Sequence, residues 1–102
     1  MIYTFGGYDA YDKVQLSSCE YYDLDKDQWF NSPHDNASGS VEYKLHSERS
    51  QNSCCIFDEN TIFIFGGYNR REGTLNSIER FHIKQKKIEQ LDLKMPSPLR
   101  RF

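Results

Sequence analysis

Short apolar runs separated by polar turns make up most of the chain. The runs at 2–5 and 62–65 both end in two glycines, and such runs are typical of strands covered on both faces. Segments 19–24 and 78–83 instead alternate between two sets of side chains, as a strand with two different faces does. This pattern predicts an all-β chain.

The pattern is present twice. The phrase IYTFGGY at 2–8 returns as IFIFGGY at 62–68, with five of the seven residues identical. LSSCEYYDLDKDQW at 16–29 then matches LNSIERFHIKQKKI at 75–88, with Leu, Ser and Glu in the same places. Self-similarity at a fixed spacing indicates one structural unit written twice.

Polar turns divide each unit into strands. In the second unit the predicted strands are, in order, 52–57, 61–65, 77–83 and 87–91. In the first unit the corresponding runs are 2–5, 19–24 and the pair Trp29-Phe30. The second unit is therefore predicted to form a complete up-and-down sheet of four strands, and the first unit begins at the second strand.

A pair of glycines closes an inner strand of each unit. Glycine costs about 0.5–1 kcal/mol relative to alanine inside a regular element, so it is retained where nothing else fits. Two pairs at matching positions predict a backbone conformation, or a close approach, that no side chain would allow. The residues are Gly6, Gly7, Gly66 and Gly67.

The sequence FGGY, followed by an N-S-x-E-x-aromatic strand, a tryptophan and a segment with proline and arginine, resembles the kelch motif. The matching residues are Phe5, Gly6, Gly7, Ser18, Glu20, Tyr22 and Trp29, and then Phe65, Gly66, Gly67, Asn76, Ser77, Glu79 and Phe81. Arg49 lies where the motif places an arginine ahead of a strand. Two features depart from the motif: Ile88 replaces the tryptophan, and the repeat of about 60 residues exceeds the usual length of about 50.

The resemblance implies a partial β-propeller of about two four-stranded antiparallel blades. We expect a first, incomplete blade at 1–48 with a long loop at 31–48, a second blade at 49–94, and a segment at 95–102 that leads into a further blade. Because propellers use about four to eight blades, we expect a fragment of a larger propeller. Further blades or self-association would close the ring.

In an up-and-down blade, the loops after the second and fourth strands emerge on one face. That face would hold the long connections 8–15, 68–74 and 31–48. Kelch propellers bind other proteins with such loops, so the resemblance implies a non-catalytic protein–protein interaction module of an adaptor or scaffold. Tyrosine and arginine dominate interface energetics. The candidate contact residues are Tyr8, Tyr11, His34, Asp35, Tyr43, Tyr68, Arg70 and Arg71.

Two other classes remain open for a kelch-like chain. One is the scaffold part of a propeller enzyme, either an oxidase or a sugar-processing protein, and the other is an actin-binding or cytoskeletal protein. The sequence contains no nucleophile elbow, and its GGYN lacks the lysine and spacing of a phosphate-binding loop. We therefore predict no catalytic residue and no cofactor.

Charge, hydropathy and cysteine content limit the function classes and the cell compartments that fit this sequence. The net charge of -2 gives no reason to expect nucleic-acid binding, and no apolar run reaches the roughly 18–20 residues of a membrane span. Three cysteines, two of them adjacent, suit neither a disulfide framework nor a zinc site, so we expect buried thiols, no metal and a cytoplasmic protein.

The charges are also unevenly distributed. Residues 1–61 hold 4 basic and 11 acidic side chains, whereas residues 62–102 hold 9 basic and 4 acidic ones. The two halves would attract one another when packed side by side, although salt screens charges at surface distances. The simpler interpretation is two solvated surfaces of opposite sign.

Overall fold

The computed structural model of the protein describes residues 1–31 and 44–101, and the regular elements of these residues are all β-strands. In chain order they are β1 (Ile2–Phe5), β2 (Tyr8–Asp9), β3 (Val14–Gln15), β4 (Cys19–Asp23), β5 (Gln28–Asn31), β6 (Ser53–Asp58), β7 (Thr61–Phe65), β8 (Tyr68–Asn69), β9 (Gly73–Thr74), β10 (Ser77–His82) and β11 (Lys87–Lys94). The predicted all-β class is confirmed.

Two antiparallel sheets carry the fold. The first sheet has the order β1-β4-β5, and the second sheet has the order β11-β10-β7-β6. All four strands predicted for the second unit are present, and β11 continues to Lys94. Phe5 pairs with Cys19 in the first sheet as Phe65 pairs with Ile78 in the second sheet. The two units therefore share their ladder register as well as their sequence.

Each connection between the glycine pair and the next long strand contains a short hairpin. The strands β2 and β3 pair Tyr8 with Gln15, and the strands β8 and β9 pair Tyr68 with Thr74. The sequence pattern predicted plain loops at 8–15 and 68–74. It missed the hairpins because two-residue strands are too short to show an alternation.

The core lies between the two sheets. The ring of Phe81 is in edge contact with the rings of Phe5 and Tyr3, at centroid distances of 5.5 and 5.4 Å. The predicted alternation of β10 is present, since Glu79 and Phe81 are buried while Arg80 is partly exposed. The buried core residues are Phe5, Cys19, Leu45, Ile62, Ile64, Phe81 and Ile88.

Ile88 fills the position where the motif leads one to expect tryptophan. It pairs with Phe81 across the ladder, as Trp29 pairs with Tyr22 in the first sheet. Ile88 is 8% exposed and belongs to the core, whereas Trp29 is 54% exposed. The aliphatic side chain therefore completes this core.

The three cysteines are free, but only Cys19 is buried. The expectation of three buried thiols is wrong for Cys54 and Cys55, which are exposed on β6. Among the described residues, β6 is the edge of the second sheet and pairs only with β7. Both side chains lie on faces of the sheet that no described element covers at this strand.

Cys19 is expected to resist thiol reagents in the folded protein. Burial, followed by the negative charge of Glu79, raises the pKa of Cys19 to about 12, and the thiolate is the reactive form. In dilute protein at pH 8, Ellman's reagent should modify the exposed Cys54 and reach Cys19 only after denaturant is added. Peptide mass mapping distinguishes the sites, and equal rates at both would contradict the burial of Cys19.

Candidate functional site

A buried arginine lies at the junction of the two sheets. The side chain of Arg49 is 0% exposed, and its guanidinium donates to the carboxylate of Glu79 at 2.6 Å. It also donates to the carbonyl of Gly66 at 2.9 Å and to the hydroxyl of Ser77 at 3.0 Å. Buried charges are tolerated only when they are paired in this way, so these bonds hold the side chain in one place.

The partner carboxylate also fixes the segment 44–51, which connects the sheets. Glu79 accepts the backbone N–H of His46 at 2.6 Å and that of Ser47 at 3.3 Å. The carbonyl of Arg49 accepts the N–H of Gly7 at 2.8 Å. The connecting segment is therefore bonded to the second sheet by side chains and to the first unit by its backbone.

Residues 95–101 follow the same path beside the second glycine pair. Gly67 donates to the carbonyl of Leu99 at 2.7 Å, as Gly7 donates to Arg49. Leu99 thus occupies the position of Arg49, and the arginines of this segment follow at Arg100 and Arg101.

The two short hairpins lie next to each other on one face of the molecule. The side-chain oxygen of Gln15, in β3, accepts the backbone N–H of Arg70 at 3.2 Å. Asn69 is fully buried beneath the second hairpin, and its amide donates to the carbonyl of Glu48 at 2.8 Å. Its carbonyl accepts the N–H of Glu72 at 2.7 Å. The second hairpin is therefore tied both to the first hairpin and to the segment 44–51.

Two open clefts meet at Gln15 on this face, which we call the hairpin face. The first cleft has a volume of about 360 Å³ and is lined by Lys13, Val14, Gln15, Ser17, Glu48, Arg70 and Arg71. The second has a volume of about 460 Å³ and is lined by Gly7, Tyr8, Gln15, Ser50, Gln51, Tyr68 and Arg100. The guanidinium carbon of Arg100 lies 4.7 Å from the centre of the Tyr68 ring, a cation–π contact.

Positive charge predominates along the clefts. Among the described residues that line them, four are cationic and one, Glu48, is anionic. Arg71 pairs with Glu48 at 3.0 Å, but its side chain is 65% exposed. Exposed ion pairs contribute at most about 1 kcal/mol, so Arg71 can exchange this partner at little cost.

The structure brings together four of the residues that the sequence singled out. Tyr8 and Tyr68 line the second cleft, and Arg70 and Arg71 line the first. Tyr11 lies near the tip of the first hairpin with 94% of its side chain exposed, outside both clefts. His34, Asp35 and Tyr43 lie outside the described residues.

Most of the residues that line the clefts were not among the predicted contacts, and two of the missed residues, Lys13 and Arg100, are cations. Lys13 and Gln15 belong to the connection 8–15, for which the sequence pattern predicts a plain loop. Arg100 was missed because its place in the cleft depends on how residues 95–101 return beside the second glycine pair, where Gly67 donates to the carbonyl of Leu99. Ser50 lines the same cleft.

The described residues contain no group of three or more His, Cys, Asp or Glu side chains placed to hold a metal ion. His46 contacts the carbonyl of Ile88 at 3.0 Å, and His82 contacts the carboxylate of Glu89 at 2.9 Å. In residues 1–31 and 44–101, we also find no helix with the length and apolar character needed to cross a membrane.

Repeated up-and-down antiparallel sheets that pack face to face define a partial β-propeller. The model of the kelch motif matches residues 1–33 and 49–87, which is more than two thirds of the chain. The chain therefore belongs to the kelch-motif family, and the match supports a kelch-type protein-interaction module. A search of curated proteins found no significant match to this sequence.

Proposed function

We propose that this chain is a non-catalytic protein-interaction module that binds its partner on the hairpin face. The observation that carries the proposal is the pair of clefts that run across both hairpins through Gln15. They place two tyrosines beside exposed arginines on a surface drawn from both repeats. Tyr and Arg are the residue types enriched in the energetic centres of protein interfaces.

The rigidity of the hairpins supports this role. The buried side chain of Asn69 anchors the second hairpin to the segment 44–51, and the buried pair of Arg49 and Glu79 anchors that segment to the second sheet. A surface that is ordered before binding loses less conformational entropy when the partner binds. These buried contacts therefore favour binding by a preformed face.

The proposal also includes the blade boundaries and the cell compartment. We assign the blades to 1–48 and 49–94, with 95–102 leading onward, as parts of a larger propeller adaptor or scaffold. Three free thiols suit a reducing compartment such as the cytoplasm. His34, Asp35 and Tyr43 stay predicted contacts of the same face.

Reversing the two arginines of the second hairpin should weaken partner binding at least tenfold. Arg70→Glu with Arg71→Glu places two carboxylates where a partner would meet cations, while both side chains are exposed and the fold should persist. Quantitative affinity capture followed by mass spectrometry would compare this variant with the wild-type chain. At least a tenfold loss of the specifically captured proteins is expected.

The matched control is Lys84→Glu with Lys86→Glu. It makes the same change of charge at two exposed residues in the turn between β10 and β11, away from the hairpin face. Because both lysines share a cleft with Tyr21 of the first sheet, far-UV circular dichroism checks that this variant has the fold of the wild-type chain. The control should keep the captured proteins. Equal capture by all three chains would overturn the choice of face, and turnover of a substrate by the purified protein would overturn the non-catalytic assignment.

A further inference from the structure

The outer face of the second sheet is an apolar groove. It has a volume of about 350 Å³ and is lined by Cys55, Phe63, Phe65, Ile78, Leu91, Leu93 and Met95. Leu93 is 68% exposed, and Phe57, which contacts the ring of Phe63, is 71% exposed. Within the described part of the chain, no element lies over this groove. Apolar faces of this kind on folded proteins mark interaction surfaces.

The internal repeat shows what kind of surface fits the groove. Phe65 pairs with Ile78 in the second sheet, and this pair stands where Phe5 and Cys19 stand in the first sheet. In the first sheet that face is covered, because Phe81 of the second sheet packs against Phe5. The groove therefore repeats a face that this chain already covers with a neighbouring sheet.

The opposite face of the first sheet resembles the face of the second sheet that packs against Phe5. Tyr22 and Trp29 pair across the ladder as Phe81 and Ile88 do in the second sheet. Their rings are in contact at 5.2 Å, and Trp29 is 54% exposed. Ile2 precedes Tyr3 as Ile62 precedes Phe63, and it is 50% exposed. One chain thus has two exposed surfaces that match the two sides of the interface between its own sheets.

The internal interface and the proposed outer interface differ in charge at one pair of ladder positions. At the internal interface, the stacked rings of Tyr21 and Phe30 lie on the first sheet, and Lys84 and Lys86 of the second sheet share a cleft with Tyr21. This part of the internal interface combines aromatic rings with cations.

On the outer face the same two ladder positions hold an ion pair. Arg80 stands in the place of Tyr21 and pairs with Glu89, which stands in the place of Phe30. His82 contacts the same carboxylate, and Lys87 is opposite His82 in the ladder. At these ladder positions the cations Arg80 and Lys87, which we call the cationic cluster, outnumber the one carboxylate, Glu89.

The first unit has the complementary charges at the matching turn. Asp25 and Asp27 stand where the second unit has Lys84 and Lys86, and both are exposed. Asp27 has a φ of 50° and Lys86 a φ of 52°, so the two turns share a backbone conformation. A first sheet placed over the groove would bring these two aspartates to the cationic cluster.

From this geometry we propose that the groove binds the outer face of the first sheet of a second copy of the chain. The contact joins two different surfaces, so repeated contacts build a closed ring when the rotation between copies allows it. Rings of about four to eight blades are closed propellers, which corresponds to two to four copies. This assembly goes beyond the binding role of the hairpin face and does not depend on it.

The test is the solution mass of the purified chain, measured by light scattering on a sizing column. The expected result is one discrete species of two to four times the 12.1 kDa chain, with the far-UV spectrum of a β protein. A folded monomer would overturn the proposal, and so would a broad series of open-ended aggregates.

Asp25→Lys with Asp27→Lys is expected to convert the assembly to monomer. The substituted turn repeats the charges of Lys84 and Lys86, so the chain already uses such a turn, but it would now face the cationic cluster beside the groove, and it no longer accepts the hydroxyl of Tyr22. Asp12→Lys, at an exposed position in the first hairpin, is a charge-reversal control that should leave the mass unchanged. Persistence of the wild-type mass in the double variant would contradict the proposed contact.

A rescue variant tests the contact in the opposite direction. Adding Arg80→Tyr and Glu89→Phe to the two lysine substitutions rebuilds, on the outer face, the stacked pair of Tyr21 and Phe30, of which Tyr21 shares a cleft with Lys84 and Lys86. This variant should regain the assembly, and a folded monomer would contradict the assigned register.

Thiol labelling provides a second measurement on every variant. Cys55 lines the groove, whereas Cys54 is its neighbour on the strand and does not. At concentrations that favour assembly, Cys55 should be at least tenfold slower in wild type than in the monomeric variant, while Cys54 changes little. Equal rates for Cys55 in the two proteins would overturn the proposal even where a variant is poorly folded.

Discussion

Replacing Glu79 with glutamine is expected to cost about 3–5 kcal/mol of the free energy of unfolding, the usual result of removing one partner of a buried ion pair. Arg49 and Glu79 are both 0% exposed and lie 2.6 Å apart. Glutamine has nearly the same shape, so the loss would come from the positive charge that stays buried without a counter-charge, and from the amide NH2, which replaces an oxygen that accepts the backbone N–H of His46 or of Ser47. This is a large share of the about 5–15 kcal/mol that stabilises a typical domain.

Urea unfolding followed by far-UV circular dichroism, at one fixed protein concentration, measures this loss. Glu48→Gln is the matched control, because Glu48 pairs with the exposed Arg71 and should lose at most about 1 kcal/mol. Adding Arg49→Met to Glu79→Gln removes the unpaired charge, so the double variant should lose less than the two single losses added together. A loss for Glu79→Gln equal to that of the control would show that the buried pair does not stabilise the junction.

Replacing Gly6 with alanine is expected to cost about 3 kcal/mol or more, from backbone strain and overpacking together. Gly6 has a φ of 70°, in the left-handed region that side chains disfavour. A Cβ at this position would collide with the backbone carbonyl of Arg49, and it would come within 3.2 Å of the carbonyl of Leu16. Neither carbonyl can move easily, since Gly7 donates to that of Arg49 and the N–H of Arg49 donates to that of Leu16.

Gly73 offers a control with the same backbone problem and no collision. Its φ is 80°, and a Cβ there would meet no atom within 4 Å. Gly73→Ala should therefore cost only about 1–2 kcal/mol, the penalty of the left-handed conformation alone. The same urea titration separates the two variants, and equal losses would mean that the close approach to Arg49 contributes nothing.

The long strands could be predicted because each of them is apolar enough to show a pattern. Residues 61–65 and the alternation of 77–83 match β7 and β10 within one residue. The short hairpins could not be predicted in this way, because Tyr8–Asp9 and Val14–Gln15 pair over two residues only. Their stability comes from tertiary contacts such as the bond between Gln15 and the N–H of Arg70.

The same difference applies to the candidate site. Residue type alone pointed to Tyr8, Tyr68, Arg70 and Arg71, because tyrosine and arginine are common in interfaces. The contribution of Arg100 depends on how residues 95–101 return alongside the second glycine pair, and the sequence pattern does not contain that path.

By itself, the sequence determined the all-β class, the twofold repeat and the kelch resemblance. These follow from local patterns, in which side-chain alternation and paired glycines recur at a fixed spacing. Only the tertiary structure decided which cysteines are buried, which arginine is buried with a carboxylate, and which faces stay open. Burial depends on what packs against a residue from a distant part of the chain, and a local pattern does not carry that information. Cys19 is covered by the second sheet, whereas Cys54 and Cys55 lie on an edge strand that nothing in the described residues covers.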